Sequence, residues 1–252
     1  MIPATIPRAA LVTGGAKRLG ATFARALALD GFRVAVHFNG SESEARALAD
    51  EIGGVALKAD LAVEADVTRL ARHARETLGP LGVVVNNASR FERDEALDTT
   101  RAGWDAHMEA NLRAPFALIQ DFARHLPEGA EGVAINLLDQ RVWNLTPHFT
   151  SYTLSKAGLW TLTQTLALAL APRVRVAGIG PGPTLPSPRQ SRAQFDRQVA
   201  SVPLKRGPAL EEMSAALRFI LSTPSFTGQM LALDGGQHLN WSAVVPDAEP
   251  EE

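Results

Sequence analysis

The chain has 252 residues and a formal net charge of −2, with 46% hydrophobic and 21% charged residues. This composition is typical of a globular protein, and its small net charge gives no reason to expect nucleic acid or an anionic membrane surface as a partner. Cysteine is absent, which excludes disulfides and thiolate chemistry. The histidines lack the spacing of metal ligands, and no segment has the ~20 apolar residues of a membrane span. We therefore expect no metal and, since no signal peptide is evident, a cytoplasmic location.

Short apolar segments alternate with amphipathic segments along the whole chain, which predicts alternating strands and helices. We predict strands at residues 8–13, 33–37, 55–58, 82–86, 132–138, 173–179 and 229–233. We predict helices at residues 18–30, 41–52, 64–78, 101–125, 151–171 and 210–221. Apolar strands that are each followed by a helix indicate a parallel sheet covered on both faces. The predicted fold class is α/β: a single-domain, doubly wound (Rossmann) seven-stranded parallel sheet with helices on both faces.

Two segments do not follow this alternation. Residues 181–206 contain five prolines and show no clear period. Because ligands bind beyond the carboxyl ends of the strands in a doubly wound fold, we interpret this long loop as a lid, with disorder as the alternative. Residues 246–252 are acidic and contain proline, and we predict a disordered tail that follows a domain of residues 1–245.

The segment Thr13-Gly-Gly-Ala-Lys-Arg-Leu-Gly20 joins the first predicted strand to the first predicted helix. Glycines at such a turn let the backbone approach a pyrophosphate, whose charge the helix N-terminus stabilises. The second strand ends in His37-Phe-Asn-Gly-Ser41 without the acidic residue that binds the ribose of NAD. Lys17 and Arg18 add positive charge nearby, so the loop favours NADPH. Glu42 and Glu44 oppose this preference, unless they are solvated acids in the first turn of the next helix.

Tyr152, the only tyrosine, stands four residues before Lys156 in a predicted helix. Residues at this spacing share one helix face, so the ammonium group is expected to lower the pKa of the phenol. A tyrosine of lowered pKa suits proton transfer near neutral pH. Alternatively, the tyrosine packs in the core and the lysine is a surface charge.

These motifs resemble the short-chain dehydrogenase/reductase family over almost the whole chain. The shared landmarks are Thr13 and its loop, Asp60-Leu61, Asn86-Asn-Ala-Ser89, Asn111, Tyr152 with Lys156, Pro181-Gly182 and Asp234-Gly-Gly236. Two departures from the family pattern are similar to the pteridine reductases: Arg18 replaces the middle glycine of the loop, and Asp139 replaces the usual catalytic serine. The segment Asn87-Ala-Ser-Arg-Phe91 also resembles that subgroup, whereas Gly40 stands where its phosphate-binding arginine would be.

The resemblance implies roles for the landmark residues. Tyr152 would donate a proton, Lys156 would hold the nicotinamide ribose, and Asn111 would anchor a water connected to Lys156. The expected cofactor site consists of Gly14, Lys17, Arg18, Leu19, Gly20, His37, Asn39, Ser41, Asp60, Leu61, Asn87, Ala88, Ser89, Tyr152, Lys156, Pro181, Gly182 and Thr184. The expected substrate site consists of Ser89, Phe91, Asp139, Tyr152 and Leu185, with Arg90, Trp143, His148 and Phe149 nearby. Phe91 would stack on a flat substrate or serve as an ordinary hydrophobic lid residue.

Asp139 decides which reaction we expect. An ionised carboxylate is a poor donor to a ketone, but it can accept N–H bonds from an aminopyrimidine or relay a proton to a ring nitrogen. The hypothesis is therefore NADPH-dependent reduction of a pteridine-type C=N bond, in a dihydropterin or dihydrofolate. The alternatives are a carbonyl or 3-oxoacyl reductase, for which Asp139 only caps a turn, and a catalytically idle NADP-binding regulator. The resemblance also implies a homotetramer.

Overall fold

The computed structural model describes residues 1–187 and 190–239, and the expected acidic tail lies outside them. Seven strands form one parallel sheet in the order β3-β2-β1-β4-β5-β6-β7. The strands are β1 (Ala9–Val12), β2 (Arg33–Phe38), β3 (Val55–Lys58), β4 (Val83–Asn86), β5 (Gly132–Leu137), β6 (Val174–Pro181) and β7 (Met230–Leu233). All seven predicted strands and the doubly wound architecture are thus confirmed.

Eight α-helices lie in the described residues. They are α1 (Arg18–Leu29), α2 (Glu42–Ile52), α3 (Glu64–Leu78), α4 (Arg101–Met108), α5 (Ala114–Arg124), α6 (Thr150–Ala169), α7 (Arg192–Ser201) and α8 (Leu210–Ser222). Side chains of α1, α2 and α8 pack with one face of the sheet, and those of α3, α5 and α6 pack with the other. Along β1, Ala10 and Val12 belong to the first core and Ala9 and Leu11 to the second. Because both faces of the strand are buried, the sequence shows a continuous apolar run there.

The predicted helix over residues 101–125 is interrupted, which corrects the expectation of one long helix. A π-helical turn at Glu109–Arg113 separates α4 from α5 and contains the fully buried Asn111. Pro115 follows in the first turn of α5. Because proline has no N–H, it cannot donate to the carbonyl of Asn111 four residues earlier, as a regular helix requires. The proline in the sequence was therefore a signal for this interruption.

The segment 181–206 is also corrected, since it is not a continuous loop. It contains α7, whose N-terminus has a complete capping box: Gln194 N–H donates to the Ser191 hydroxyl, and the Gln194 side chain accepts from the Ser191 N–H. Serine followed three residues later by glutamine is a recognisable start signal for a helix. The apolar period was too weak to reveal α7, because none of its residues is buried.

The position of the site follows from the strand order. The order reverses between β1 and β4, and in an open parallel sheet this reversal creates a crevice at the carboxyl ends of the strands. The glycine-rich segment follows β1, and the segment beginning at Asn87 follows β4. The two lie side by side, since the Asn87 side chain donates to the Thr13 and Gly14 carbonyls at 2.9 and 3.0 Å.

Candidate active site

Two adjoining cavities occupy this crevice. The first has a volume of about 530 Å³ and the second about 660 Å³. The residues common to both linings are Arg18, His37, Asn39, Ala88, Ser89, Phe91 and Ser187. The first alone is lined by the expected site residues Gly14, Lys17, Leu19, Gly20, Asn87, Asp139, Tyr152, Lys156, Pro181, Gly182, Thr184 and Leu185. The second alone is lined by Asp60, Leu61 and Arg90. Most of the residues that we expected to form the site therefore line the two adjoining cavities of this cleft.

Two expected residues lie elsewhere. Ser41 precedes α2 as its N-cap and lines neither cavity. Asn111 is buried beneath the segment that follows β4: its side chain accepts from the Arg90 N–H at 2.7 Å and donates to the Arg90 carbonyl at 2.9 Å. It also donates to the Ser155 hydroxyl at 3.0 Å. The Asn111 side chain therefore joins this segment to α6.

Close packing explains why the loop after β1 needs glycine. Gly14 has a φ of +58°, and a Cβ atom on Gly20 would lie 2.1 Å from the Gly14 carbonyl oxygen. Arg18, which occupies the place of the family's middle glycine, also has a positive φ, of 53°. A non-glycine residue in this region is strained by roughly 1–2 kcal/mol, so the surrounding contacts must hold it there. Hydrogen bonds of the Arg18 side chain supply such contacts.

The Arg18 guanidinium crosses the cleft. It donates to the carbonyls of Pro186 and Leu185 at 2.7 and 3.0 Å, and so joins the loop after β1 to the segment after β6. Lys17, by contrast, forms an ion pair with Glu44 at 2.6 Å. Glu42 and Glu44 lie in the first turn of α2, as predicted. The ion pair between Glu44 and Lys17 was not predicted. Since Glu44 offsets the charge of Lys17, Arg18 is the main source of positive charge here.

His37 has a structural role at the glycine-rich loop. Its ring is 2% exposed, and Nδ1 accepts from the Gly14 N–H at 3.0 Å, so Nε2 carries the proton and donates to the Ala59 carbonyl at 3.1 Å. Burial lowers the pKa of His37 to about 4, against hydrogen bonding to Ala59 and the nearby charge of Asp60. The ring is thus neutral at neutral pH and adds no positive charge to the cleft that it lines. Its hydrogen bond with Gly14 supports the glycine-rich loop.

Tyr152 and Asp139 form a direct hydrogen bond at the end of β5. The phenol O–H donates to Asp139 Oδ2 at 2.9 Å, and Tyr152 is 6% exposed. Burial raises the pKa of Tyr152 well above its usual value, and the charge of Asp139 raises it further. The net shift is therefore opposite to the expected lowering of this pKa. The tyrosine is held as a neutral phenol that can donate a proton.

Lys156 is also buried, at 2% exposure, and donates to the Leu137 carbonyl at 2.8 Å. Its ammonium nitrogen lies 5.8 Å from the centre of the Tyr152 ring. Burial lowers the pKa of Lys156 to about 8, although the charge of Asp139 opposes the shift. The Tyr152–Lys156 pair therefore shares one face of α6, as predicted, and the burial of Lys156 excludes the alternative that it is a surface charge.

Arg141, which the sequence analysis did not identify, completes the group. Its backbone N–H donates to Asp139 Oδ1 at 2.8 Å, and its guanidinium lies 3.4 Å from both carboxylate oxygens. An arginine two residues after an acid has no recognisable pattern, so only the fold reveals the contact. Phe91 and Phe149 stack with ring centres 4.7 Å apart, and Phe91 meets Tyr152 edge to face at the same distance.

The other expected wall residues vary in position. Phe149 lies behind Phe91 and, like Trp143 and His148, does not line the first cavity. His148 pairs with Glu95 at 2.8 Å, whereas the Trp143 ring contacts those of Trp160 and His238. These residues support the wall rather than form it.

The start of α6 is fixed by a residue that sequence reasoning missed. Asp94 accepts from the backbone N–H and the hydroxyl of Ser151 through its side chain, and from the Phe149 N–H through its carbonyl. A carboxylate at a helix N-terminus stabilises the exposed N–H groups and the helix dipole. His107 donates from Nδ1 to the Ser151 hydroxyl at 2.7 Å, since its Nε2 accepts from the Glu92 N–H. This network holds Tyr152 one residue further on.

Neither a metal cluster nor a membrane helix occurs in the part of the chain that the structure describes. No group of three or more acidic, histidine or cysteine side chains there could hold a metal ion. None of the helices there is long and apolar enough to cross a membrane.

Comparison with known proteins identifies the family. A short-chain dehydrogenase model, described as enoyl-(acyl carrier protein) reductase, matches residues 14–238. The chain belongs to the short-chain dehydrogenase/reductase family. The matched residues include the buried Tyr152 and Lys156 of α6 and most of the glycine-rich loop that follows β1.

Three members of the short-chain dehydrogenase/reductase family illustrate the range of similar proteins. The crystal structure of FolM alternative dihydrofolate reductase 1 from Brucella canis, complexed with NADP, is 47% identical, with a TM-score of 0.91, and covers 96% of this chain and 99% of that one. A blue fluorescent protein from a metagenomic library, complexed with NADPH, is 30% identical, with a TM-score of 0.84 and coverage of 91% and 97%. The 3-oxoacyl-[acyl-carrier-protein] reductase FabG of Staphylococcus epidermidis (strain ATCC 35984) is 28% identical over 242 residues, with coverage of 92% and 99%.

Proposed function

We propose that this protein is an NADPH-dependent reductase of a pteridine-type C=N bond, in a dihydropterin or a dihydrofolate. One observation carries the proposal: Asp139 stands where the family has serine, and its carboxylate accepts the Tyr152 hydroxyl at 2.9 Å. The similarity to FolM alternative dihydrofolate reductase 1, which is named for such a substrate, supports the same conclusion.

The cleft fits NADPH. A Cβ atom on Gly14 would lie 2.9 Å from Ala88 Cα, and one on Gly20 would overlap the loop backbone, so both glycines let the loop pack tightly where it lines the cleft. Arg18 would hold the phosphates, and Lys156 would hold the nicotinamide ribose. The acid that would favour NAD is missing at the end of β2, where Phe38 is followed by Asn39. When bound, NADPH supplies the hydride. Two neighbours were solved with NADP or NADPH, which supports this choice of cofactor.

The residues of this chain supply the proton and the recognition. Reduction of C=N forms one C–H and one N–H bond, and the N–H proton would come from the Tyr152 phenol, whose O–H bond breaks. Because its pKa is raised, the phenol keeps its proton until it transfers it. Asp139 would accept N–H bonds from the substrate, since a carboxylate has acceptors only. Lys156, whose pKa is about 8, would stabilise the developing phenolate.

A second candidate is a carbonyl or 3-oxoacyl reductase, which the FabG relative and the description of the family model favour. Asp139 argues against it, because an ionised carboxylate next to a developing alkoxide repels it and has no proton to donate. The idle NADP-binding regulator is less well supported still, because such a protein has no need for the buried Tyr152–Lys156 pair.

The test is NADPH oxidation by the purified protein with dihydrobiopterin, dihydrofolate and a 3-oxoacyl ester offered in parallel, together with Asp139→Ser. We expect turnover of a pterin or folate that falls at least ~10-fold in Asp139→Ser, because a hydrogen bond to a charged group contributes about 1.5–3 kcal/mol. Turnover of the oxoacyl ester alone, improved by serine, would establish the second candidate. Binding of NADPH with no turnover of any of the three would favour the regulator.

A cytoplasmic location, a single domain over residues 1–245 and a homotetramer remain proposals from the family resemblance. Light scattering on the purified protein tests the oligomer directly.

A further inference from the structure

The Arg141 side chain lies against both the Asp139 carboxylate and the rings of Phe91 and Phe149. Its side chain is 13% exposed, and that of Asp139 is 17% exposed. The backbone N–H holds Oδ1 at 2.8 Å, while the guanidinium Nη1 reaches both oxygens at 3.4 Å. Arg141, two residues along the same segment, thus contacts Asp139, and the Oδ2 atom of Asp139 accepts the Tyr152 hydroxyl.

Three aromatic rings fix the position of the Arg141 guanidinium. Its carbon lies 5.1 Å from the ring centre of Phe149, 5.8 Å from that of Phe91 and 6.0 Å from that of Tyr152. A guanidinium at such distances is attracted to the ring faces, more so where water is excluded. The Arg141 Nε atom also donates to the Thr146 hydroxyl at 3.4 Å. The guanidinium therefore has little freedom to leave the carboxylate.

Phe149, whose ring contacts the Arg141 guanidinium, has a strained backbone conformation. The residue is 3% exposed and has a positive φ of 60°, a strained conformation for a bulky side chain. Its N–H is held by the Asp94 carbonyl at 2.9 Å, and its ring is sandwiched by the contacts with Phe91 and Arg141. Strained residues persist only where their surroundings over-determine them, and they concentrate at functional sites.

The charges around Asp139 make the role of Arg141 specific. The groups that face the carboxylate among the described residues are Arg141 on its own segment, and Tyr152 and Lys156 on α6. Lys156 is directed to the Leu137 carbonyl, so it contributes charge without a hydrogen bond to Asp139. We propose that Arg141 is a positioning residue that holds the Asp139 carboxylate in place as the hydrogen-bond acceptor facing Tyr152.

This proposal rests on the proposed function for its kinetic consequence. In the proposed function the Asp139 carboxylate accepts N–H bonds from the pterin, and a displaced carboxylate would lose them, whereas a ketone has no N–H group to offer. Loss of Arg141 is therefore expected to lower the ratio of kcat/KM for pterin to that for ketone. We expect a fall of at least tenfold in that ratio, chiefly through kcat for pterin, with the KM for NADPH unchanged.

The experiment compares Arg141→Met and Arg141→Lys with wild type. The surroundings of Asp139 are followed at pH 7 by the ¹³C chemical shift of its side-chain carboxyl carbon, with the signal assigned by Asp139→Asn. Because Arg141→Met removes the guanidinium that lies 3.4 Å from both carboxylate oxygens, we expect this chemical shift to change together with kcat for pterin. Lysine restores the charge without the guanidinium that lies against the rings, so Arg141→Lys is expected to recover kcat only in part.

Arg25→Met is the matched control, because it removes another arginine–carboxylate pair, with Glu51 at 2.7 Å, that lies outside both cavities. If the ¹³C chemical shift of Asp139 in Arg141→Met equals that of wild type, the positioning role is wrong, whatever the substrate. If the chemical shift changes but wild type reduces only ketones, the proposed function fails and the positioning role stands. Should Arg141→Met not fold, Arg141→Gln, which keeps N–H donors without charge, decides by the same chemical shift.

Discussion

The two ends of the cleft differ in the contacts that shape them: main-chain contacts shape the glycine-loop end, and side-chain contacts shape the aspartate end. The glycine-loop end consists of residues 14–20 and the strand ends that touch them, where the closest approaches are between main-chain atoms. The aspartate end consists of Phe91, Asp139, Arg141, Phe149 and Tyr152, which are joined by a carboxylate, a phenol, a guanidinium and stacked rings. The glycine-loop end depends on residues without side chains, such as Gly14 and Gly20. The aspartate end depends on large side chains that contact one another through hydrogen bonds, ion pairs and ring stacking.

The largest expected effect comes from breaking the glycine-loop end. In Gly20→Ala the new Cβ would lie 2.1 Å from the Gly14 oxygen and 2.6 Å from Asn87 Nδ2, so the loop must move. We expect NADPH to bind at least ~1000-fold more weakly, which is about 4 kcal/mol. Gly40→Ala is the control, because a Cβ atom there meets nothing within 4 Å. Titration of NADPH fluorescence measures both, and equal affinities for the two variants would contradict a backbone-built site.

The comparison explains what could be predicted from the sequence. The glycine-loop end was predicted nearly in full, because a requirement for small residues is local and leaves a pattern such as Gly14 and Gly20. At the aspartate end, Asp139, Tyr152 and Phe91 were predicted by resemblance, but Arg141 and Asp94 were not. Arg141 contacts an acid two residues away, a spacing that has no recognisable pattern, and the partner of Asp94, Ser151, comes from a distant segment. The neutral state of His37 and the raised pKa of Tyr152 depend on burial, which no motif encodes.

The support under the glycine loop can be tested through pH. Since the pKa of His37 is about 4 when folded and about 6.5 when unfolded, the unfolded chain binds the proton first as pH falls. This term of the free energy of unfolding is complete above pH ~6.5 and is lost between pH ~6.5 and ~4, by about 3 kcal/mol.

Urea unfolding of wild type and His37→Asn at several pH values measures this loss. Asparagine does not titrate in that range, so the variant should be less stable at pH 7 but lose less on acidification. His73→Asn, at an exposed position, is the control. A wild-type slope retained in His37→Asn would show that another group causes the acid dependence.

Arg18 connects the glycine loop to Leu185 and Pro186 in the segment after β6. Its replacement has the smallest expected effect on stability. In Arg18→Gly the strain of the positive φ is relieved, but the two hydrogen bonds to Leu185 and Pro186 are lost. Because a strained non-glycine residue costs roughly 1–2 kcal/mol and each hydrogen bond contributes about 1 kcal/mol, we expect a change in unfolding free energy within about 1 kcal/mol.

The local effect of Arg18→Gly should be larger than the global one. We expect faster amide hydrogen exchange in the segment after β6, around Thr184 and Leu185, with unchanged exchange in the core strands. Unaltered exchange in that segment would show that Arg18 does not hold it across the cleft.

The central claim is that Asp139 holds Tyr152 as a neutral phenol, and one spectrum tests it. Because Tyr152 is the only tyrosine, ultraviolet absorbance of the phenolate reports this residue alone. We predict that wild type shows no phenolate up to pH ~10, the usual midpoint for tyrosine, and that Asp139→Asn, which removes the anion, ionises at lower pH than wild type. Phenolate in wild type near pH 7, or an unchanged midpoint in Asp139→Asn, would contradict the claim.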